Sequence, residues 1–468
     1  MTIFTTHFWV FFTAVLILYY FLPRKGQNNL LLAASLYFYF LWSWHFPIVL
    51  FFFGLVNFFF IKLIAQRKMS LLLWIGIGFN IIVLAFFKLM GFYTDEFARA
   101  LSLNNPDTIQ FLFPVGLSYM VVEAISVLVD AYNGRLDSPG PLSDFLLYFA
   151  YFPKLISGPV ERAREFLPKL AANRVVDNQV LAESFTLIVI GFFRKIAVAD
   201  VLNTLIPEKL FDDPGMFSSS ELALWLLAYS FYLYNDFAGY TNIVRGVSGF
   251  FGIQLSLNFQ TPYFSRNFTE FWNRWHMSLS FWLRDYIYFP LSRGIARRYK
   301  LLKKLLNWIF PPVMTMFVSA LWHGANWHML FWGGLHGFYQ VVERIPSLWG
   351  AAAKPPQSRP IWRQMIGGIL VFTLAVLAWV PFRTDLPTMW EYWGGMLKMT
   401  VPETQSFVMF IPILPSLLLD RFQYAKGELG ILKQPMFMQS ILLALAVMLI
   451  FIASQFQGST TPFIYQGF

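Results

Sequence analysis

Apolar runs of near-spanning length recur from one end of this chain to the other, and no other feature limits its fold as strongly. They fall near residues 8–22, 29–44, 47–64, 70–92, 110–129, 180–198, 220–234, 306–322, 328–342, 362–381, 406–419 and 438–454. A perpendicular membrane helix takes about 20 apolar residues, so the shorter runs are expected to be tilted, paired or re-entrant. Hydrocarbon offers no partner to backbone N–H and C=O groups, which strongly favours helices as the spanning structure. Composition confirms the bilayer as the solvent: 57% of the 468 residues are hydrophobic and 13% are charged, against about 25% charged in soluble domains. The expected fold is an all-α polytopic integral membrane protein of about 10–12 membrane helices, re-entrant segments included. No internal repeat is present. The polar interruptions at 159–179, 199–219, 258–304, 349–361 and 420–436 are too short for an ordinary separate domain, so residues 1–468 are expected to form a single membrane domain.

Charge sets an orientation. The net charge of +10 would point to nucleic acid in a soluble protein. Here retention of basic loops on the cytoplasmic side accounts for it, and no nucleic-acid partner is expected. Arg24 and Lys25 follow the first run directly, which puts the N-terminus outside; Arg67 and Lys68 then fall inside, and Asp95, Glu96 and Asp107 outside. "MTIFTTH" has no basic leader and no small-residue cleavage site follows, so the first run is expected to stay as a membrane segment. Residues 293–304, "RGIARRYKLLKK", hold six basic residues and no acidic one, which reads as a cytoplasmic loop against anionic headgroups. Cysteine is absent, which excludes disulfides, thiol catalysis and cysteine-based metal sites.

Two stretches carry more chemistry. In "RNFTEFWNRWHMSLSFWLRDYIYFPLSRG" (266–294), Asn273, His276, Ser280 and Arg284 would form one polar stripe on a continuous helix. Glu270 and Arg274 are an i,i+4 pair in the favourable order. Taken alone this stretch reads as an interfacial amphipathic helix with an aromatic belt. The second stretch, "FVSALWHGANWHMLFWGGLHG" (317–337), holds three of the six histidines. If helical, it places Ser319, His323 and Asn326 on one face. A polar side chain at membrane depth usually faces the protein interior or a water-filled cavity, and a neutral imidazole in a dry pocket is a competent general base. His323, His328 and His336 lack the spacing and the nearby carboxylate of a metal set, so no metal is expected. His328 suits an interface or packing role, and His336 an interhelical hydrogen bond. Close helix packing through Gly324, Gly333, Gly334 and Gly337 is the competing account of this stretch.

Other polar residues are embedded as well. Asp236 in "FYLYNDFAGYTN" and Glu123 in "YMVVEAISVLVDAY" must be paired, protonated or near the membrane edge; for Asp236, structural pairing and a substrate-binding role are both open. "ISGPV" (156–160) reads as a helix break or re-entrant turn. Gly246, Gly249 and Gly252 follow no strand, so their GxxGxxG spacing is no nucleotide signal.

These residues together resemble the membrane-bound O-acyltransferases. "FWNRWHMSLSFWLRDYIYFPL" (271–291) is similar to the family's arginine-, tryptophan- and histidine-bearing amphipathic motif, and "LWHGANW" (321–327) to the segment holding its essential histidine, which maps onto His323. "YNDFAGYTNIVRGVSGFFGI", "FPKLISGPVER", "LAWVPFRT" and the "FIYQGF" ending are further similar blocks. The "LWHGANW" block, "LAWVPFRT" and the chain end look most like the bacterial branch that includes the membrane subunit of alginate O-acetylation. "FWNRWHMSLSFWLRD" is equally like the teichoic-acid D-alanylation branch. Glu123 stands where the pattern has a neutral glutamine. The resemblance implies an acyl, here acetyl, group taken from a cytoplasmic donor, acetyl-CoA, and passed across the inner membrane to a hydroxyl acceptor. It implies His323 as the catalytic base. His276, Asn273, Arg284 and Asn326 are the candidates for contacting substrate, together with Asp236 if it is not a structural pair. It further implies an extracytoplasmic esterase-like acceptor protein as partner, within the machinery that modifies an exported polysaccharide. A D-alanyl transferase would share this core, taking its acyl group from a carrier protein. A transporter would favour inverted repeats and broken helices at matching positions, which the chain lacks.

The basic cluster gives the first testable expectation. Alkaline phosphatase fused near residue 300 should be inactive and a cytoplasmic reporter active there; the opposite result would reverse the orientation.

Overall fold

The computed structural model describes residues 2–92, 114–136, 138–298, 302–348, 360–398 and 404–455. Asp95, Glu96 and Asp107, expected outside, and the "FIYQGF" ending lie outside the described residues. Every regular element among the described residues is helical. Among the described residues, six helices are long and apolar enough to cross a membrane: Phe46–Arg67, Ser70–Leu89, Lys304–His323, Ile361–Arg383, Phe407–Lys426 and Met436–Gln455; Thr6–Tyr20 is apolar but shorter. The other expected runs fold as Arg24–Phe40, Leu117–Tyr132, Asn178–Phe192 and Trp327–Glu343, or within Ser219–Gly249. The chain is therefore the all-helical polytopic membrane protein its hydropathy predicts.

It divides into two compact units, one of residues 1–184 and 244–256 and one of residues 185–243 and 257–468. The first holds α1 (Thr6–Tyr20), α2 (Arg24–Phe40), α3 (Phe46–Arg67), α4 (Ser70–Phe92), α5 (Leu117–Tyr132), α6 (Leu142–Ala150) and α7 (Ala163–Ala171). α3 packs on α5 and α6, and α4 on α5. Between α3 and α4, Asn57 and Asn80 are fully buried and exchange amide hydrogen bonds of 2.8 and 3.3 Å, which fixes the relative register of two otherwise apolar spans.

Residues 151–161, which contain "ISGPV", form a fully buried irregular segment with no helix, as the Gly-Pro signal predicts. Such backbone is tolerated at depth only where protein surrounds it. Gly116 lies against it with φ +82°, and a Cβ there would sit 2.1 Å from the Leu155 carbonyl oxygen; no residue with a side chain fits. Glu123 on α5 answers this segment. Both its carboxylate oxygens accept from Lys154 Nζ at 2.7 Å, and one also accepts from the Glu161 backbone N–H at 3.0 Å. Of the alternatives open for Glu123, pairing is the one the structure shows.

The second unit contains α10 (Phe268–Trp272), α11 (Met277–Leu283), α12 (Phe289–Arg298), α13 (Lys303–His323), α14 (Trp327–Glu343), α15 (Ile361–Arg383), α16 (Leu386–Met396), α17 (Phe410–Lys426) and α18 (Met436–Gln455). α8 (Asn178–Phe192) and α9 (Ser219–Gly249) each have residues in both units. α13 and α14 are antiparallel neighbours joined by a three-residue turn, and they pack extensively. A Cβ on Gly333 would lie 2.7 Å from the Met316 carbonyl oxygen, and one on Gly337 3.1 Å from Val313 Cα, so this pair brings the backbones together. Gly334 has nothing within 4 Å and takes no part, contrary to the sequence expectation.

A π-helical turn, Phe193–Asp200, presents two buried cations. Arg194 donates to Asn235 and Gln423 at 2.9 Å and pairs with Asp420. Lys195 pairs with Asp236 at 2.8 Å and Asp200 at 2.7 Å.

Removing one partner of a buried ion pair strands the other charge, at a cost of about 3–5 kcal/mol. Lys154→Met should therefore lower the melting temperature of the detergent-solubilised protein sharply, and Glu123→Gln/Lys154→Met should recover most of the loss. A single variant melting like the parent would contradict the pairing.

Candidate active site

His323 is the last residue of α13 and is 7% exposed. Its Nδ1 lies 2.8 Å from the Ser319 carbonyl oxygen one turn earlier. A carbonyl only accepts, so Nδ1 carries the hydrogen and, in the neutral ring, Nε2 carries the lone pair. That is the tautomer a general base needs. Trp322, Trp332 and Phe382 enclose the ring, with centroids at 4.7, 5.4 and 5.5 Å. The helix ends here, which corrects one expectation. Asn326 does not share a helical face with His323; it precedes α14 in extended conformation and makes no side-chain cap bond. Ser319 orients the ring, but through its backbone carbonyl rather than its hydroxyl.

The stretch 266–294 departs further from its expected form. It is broken rather than continuous: α10 ends at Trp272, α11 begins at Met277, and a π-helical turn follows at Arg284–Tyr288. The break is at His276, whose φ is +43°. Tertiary hydrogen bonds replace the missing helical ones. The Met277 N–H donates to the Asn258 carbonyl at 2.9 Å, and the Asn258 side-chain oxygen accepts from Ser278 Oγ at 2.8 Å and His276 Nδ1 at 3.1 Å. The four-residue polar stripe therefore does not exist as a helical face, because Asn258 outcompetes the helix for these donors. The Glu270–Arg274 pair does form, at 2.9 Å.

His276 is 1% exposed. Its ring meets Phe237 at 4.8 Å and Trp322 at 6.1 Å, and Trp322 also touches His323. Burial, and after it the neighbouring His323, hold the His276 imidazole well below the usual histidine range, so it is neutral near pH 7. Its Nε2 is buried and has no hydrogen-bond partner among the described residues.

Asn273 and Arg284 come together on the wall of a cavity of about 150 Å³, with Trp272, Thr315, Gln340 and Arg344. The π-helical turn places Arg284 there, where it bonds Asp285 at 2.9 Å and lies over Phe281. Arg344 enters from the end of α14 and donates to Tyr288 Oη at 2.9 Å. His276, His323, Asn326 and Asp236 do not line this cavity. Asp236 is fully buried and paired with Lys195, while its neighbour Phe237 is the residue against His276.

The other histidines separate clearly. His328 Nδ1 donates to the Pro381 carbonyl at 3.0 Å, tying α14 to α15, the packing role its position predicts. His336 does not make the expected interhelical hydrogen bond. It is 1% exposed, neither ring nitrogen has a hydrogen-bond partner among the described residues, and aromatic rings surround it. Asn258, Gln340 and Arg344 escaped the sequence reading. Asn258 lies in an irregular segment and acquires meaning only through a residue 18 positions away. Gln340 and Arg344 stand at four-residue spacings below Trp332 and His336 on α14, a stripe that helical periodicity can reveal.

Comparison with known proteins covers the same residues. The model of the membrane-bound O-acyltransferase (MBOAT) family matches residues 110–380. A probable alginate O-acetylase, AlgI, of Azotobacter vinelandii is 32% identical over 81% of this chain and 74% of its own length. A peptidoglycan O-acetyltransferase of Helicobacter pylori is 29% identical over 78% of this chain and 73% of its own. A teichoic acid D-alanyltransferase of Streptococcus thermophilus is 28% identical over 59% and 69%. A matched span of this length, holding both candidate histidines, places the chain in the membrane-bound O-acyltransferase family, as a multi-pass membrane enzyme of the O-acyltransferase class.

Proposed function

We propose that this enzyme takes an acetyl group from acetyl-CoA on the cytoplasmic side of a bacterial inner membrane and delivers it to a hydroxyl presented from outside. The acceptor belongs to an extracytoplasmic esterase-like protein, which passes the group to an exported polysaccharide. The observation that carries this reading is the hydrogen bond from His323 Nδ1 to the Ser319 carbonyl, which leaves the lone pair on Nε2 inside an aromatic enclosure.

In the proposed reaction Nε2 takes the acceptor's hydroxyl proton while the oxygen attacks the thioester carbonyl carbon. The carbon–sulfur bond breaks, and the departing thiolate recovers the proton from the imidazolium. A positioned base of this kind contributes about 10²–10⁴-fold. Trp322, Trp332 and Phe382 keep water from competing for the activated acyl group. His276, neutral and held by Asn258, borders the approach and orients the donor. Asn273 and Arg284 bind it at the cavity, and Asn326 faces the acceptor side at the start of α14. Asp236 acts through Lys195 and the placement of Phe237 rather than by touching the cavity. The similarity to alginate and peptidoglycan O-acetyltransferases supports acetyl as the group carried and a glycan polymer as its destination.

His323→Ala should reduce acyl transfer by at least about 10²-fold, with expression and membrane insertion unchanged, while His328→Ala should keep substantial activity. Near-normal turnover by His323→Ala at normal protein level would refute the mechanism. A second expectation concerns the acceptor. The purified chain with acetyl-CoA should leave polysaccharide unmodified until the extracytoplasmic partner is added. Unaided acetylation of the polymer would overturn that division of labour.

A further inference from the structure

The two faces of α17 meet different surroundings. Toward α9 and the π-helical turn it is polar. Ser416 Oγ donates to the Asn235 side-chain oxygen at 3.0 Å, Asp420 accepts from Tyr234 Oη at 3.0 Å and pairs with Arg194, and Gln423 accepts from Arg194 at 2.9 Å. Its other face carries Pro415, Leu418 and Phe422, which line a cavity of about 390 Å³ together with Leu442, Ala446 and Leu449 of α18. Phe193 of the π-helical turn and Ile431 of the short turn Gly430–Lys433 also border it, and every described lining residue is apolar. None of these residues lines the cavity that holds Arg284. Leu418 is 71% exposed and Leu445, a further lining residue, 46%, so the cavity opens onto the outer surface of two membrane-spanning helices.

This gap is built into the packing. Its polar bonds hold α17 on one side, α18 packs on the π-helical turn, and drawing α17 across would strand the Arg194 charge. Water does not suit the space, since a buried water needs two to four polar partners, and an empty apolar space forfeits dispersion contacts. The bilayer offers acyl chains instead. From Pro415 to Phe422 the lined face of α17 rises about 10 Å, within the depth of one leaflet, half of a hydrocarbon core of about 30 Å. Two exposed cations mark one end. Lys426 follows Phe422 by four residues on the same stripe of α17, and Lys433 follows Ile431 by two. Glu428, the acid of the intervening segment, acts electrostatically on Arg194.

We propose that this groove binds a phospholipid with an anionic headgroup, one acyl chain lying between α17 and α18 and the phosphate at Lys426 and Lys433. The lysines favour a lipid of net negative charge over a zwitterionic one. Bound there, the lipid props α17 against α9 and steadies the partners of Arg194 and Asn235. The inference stands apart from the acyl chemistry and does not depend on the donor or acceptor.

The test uses the purified full-length protein in detergent, stripped of lipid, and measures binding of added phosphatidylglycerol or phosphatidylcholine by native mass spectrometry. The parent should bind phosphatidylglycerol at the lower concentration, and its melting temperature should rise with that lipid. Lys426→Gln/Lys433→Gln should weaken phosphatidylglycerol binding about thirtyfold and leave phosphatidylcholine binding little changed. Ala446→Trp fills the groove with an indole, so its melting temperature should no longer respond to phosphatidylglycerol; Ala446→Phe serves if that variant does not insert. Undiminished phosphatidylglycerol binding in the folded groove-filling variant, or a parent that binds neither lipid or both equally, would overturn the proposal. A dimeric parent that becomes monomeric in Ala446→Trp would also overturn it, because a second copy of the chain would then occupy the groove.

Discussion

Polar groups carried into hydrocarbon have to be answered from within the chain, because lipid answers nothing. Much of this architecture follows from that constraint. Asn57 finds Asn80 and thereby sets α3 against α4. Glu123 finds Lys154 and anchors an irregular segment that no helix supports. Arg194 and Lys195 find separate acidic partners on either side of one π-helical turn. Near His323, the proposed base, several such groups go unanswered among the described residues: His276 Nε2, the indoles of Trp272 and Trp332 and both nitrogens of His336.

The broken stretch 266–294 carries two of these groups, at Trp272 and His276. A continuous helix would direct Asn273, His276, Ser280 and Arg284 into one stripe. Instead the left-handed His276 turns its ring toward Phe237 and Trp322, while Asn273 and Arg284 remain with the cavity. A positive φ at a residue other than glycine is strained and persists only where its surroundings over-determine it. Asn258 provides this, meeting the chain at His276, Met277 and Ser278.

Periodicity and composition were enough to read the helical membrane fold and the break at "ISGPV", because each follows from local rules about hydrocarbon and glycine–proline steps; for Glu123 they left pairing, protonation and a place near the membrane edge open. The close approach at Gly333 and Gly337 was legible, though Gly334, one residue from Gly333, points away and only the helix phase separates them. The burial of His323 was legible from its apolar surroundings. Its orientation was not, since a carbonyl acceptor has no sequence signature. The positions of Asn326 and of the 266–294 residues were misjudged for a common reason. Both readings continued a helix past the point where tertiary hydrogen bonds or a tight turn ended it, and propensity carries no information on either.

The π-helical turn at Phe193–Asp200 has one more consequence. Arg194 and Lys195, adjacent in the chain, meet Asn235 and Asp236, adjacent on α9. A π-turn is a helix that has accommodated an extra residue, and losing one residue rotates everything beyond it by about 100° relative to what precedes it. Chain length across these eight residues is thus as constrained as side-chain chemistry. Conservative replacements can drift in this segment, whereas a single-codon gap would misdirect two buried cations at once.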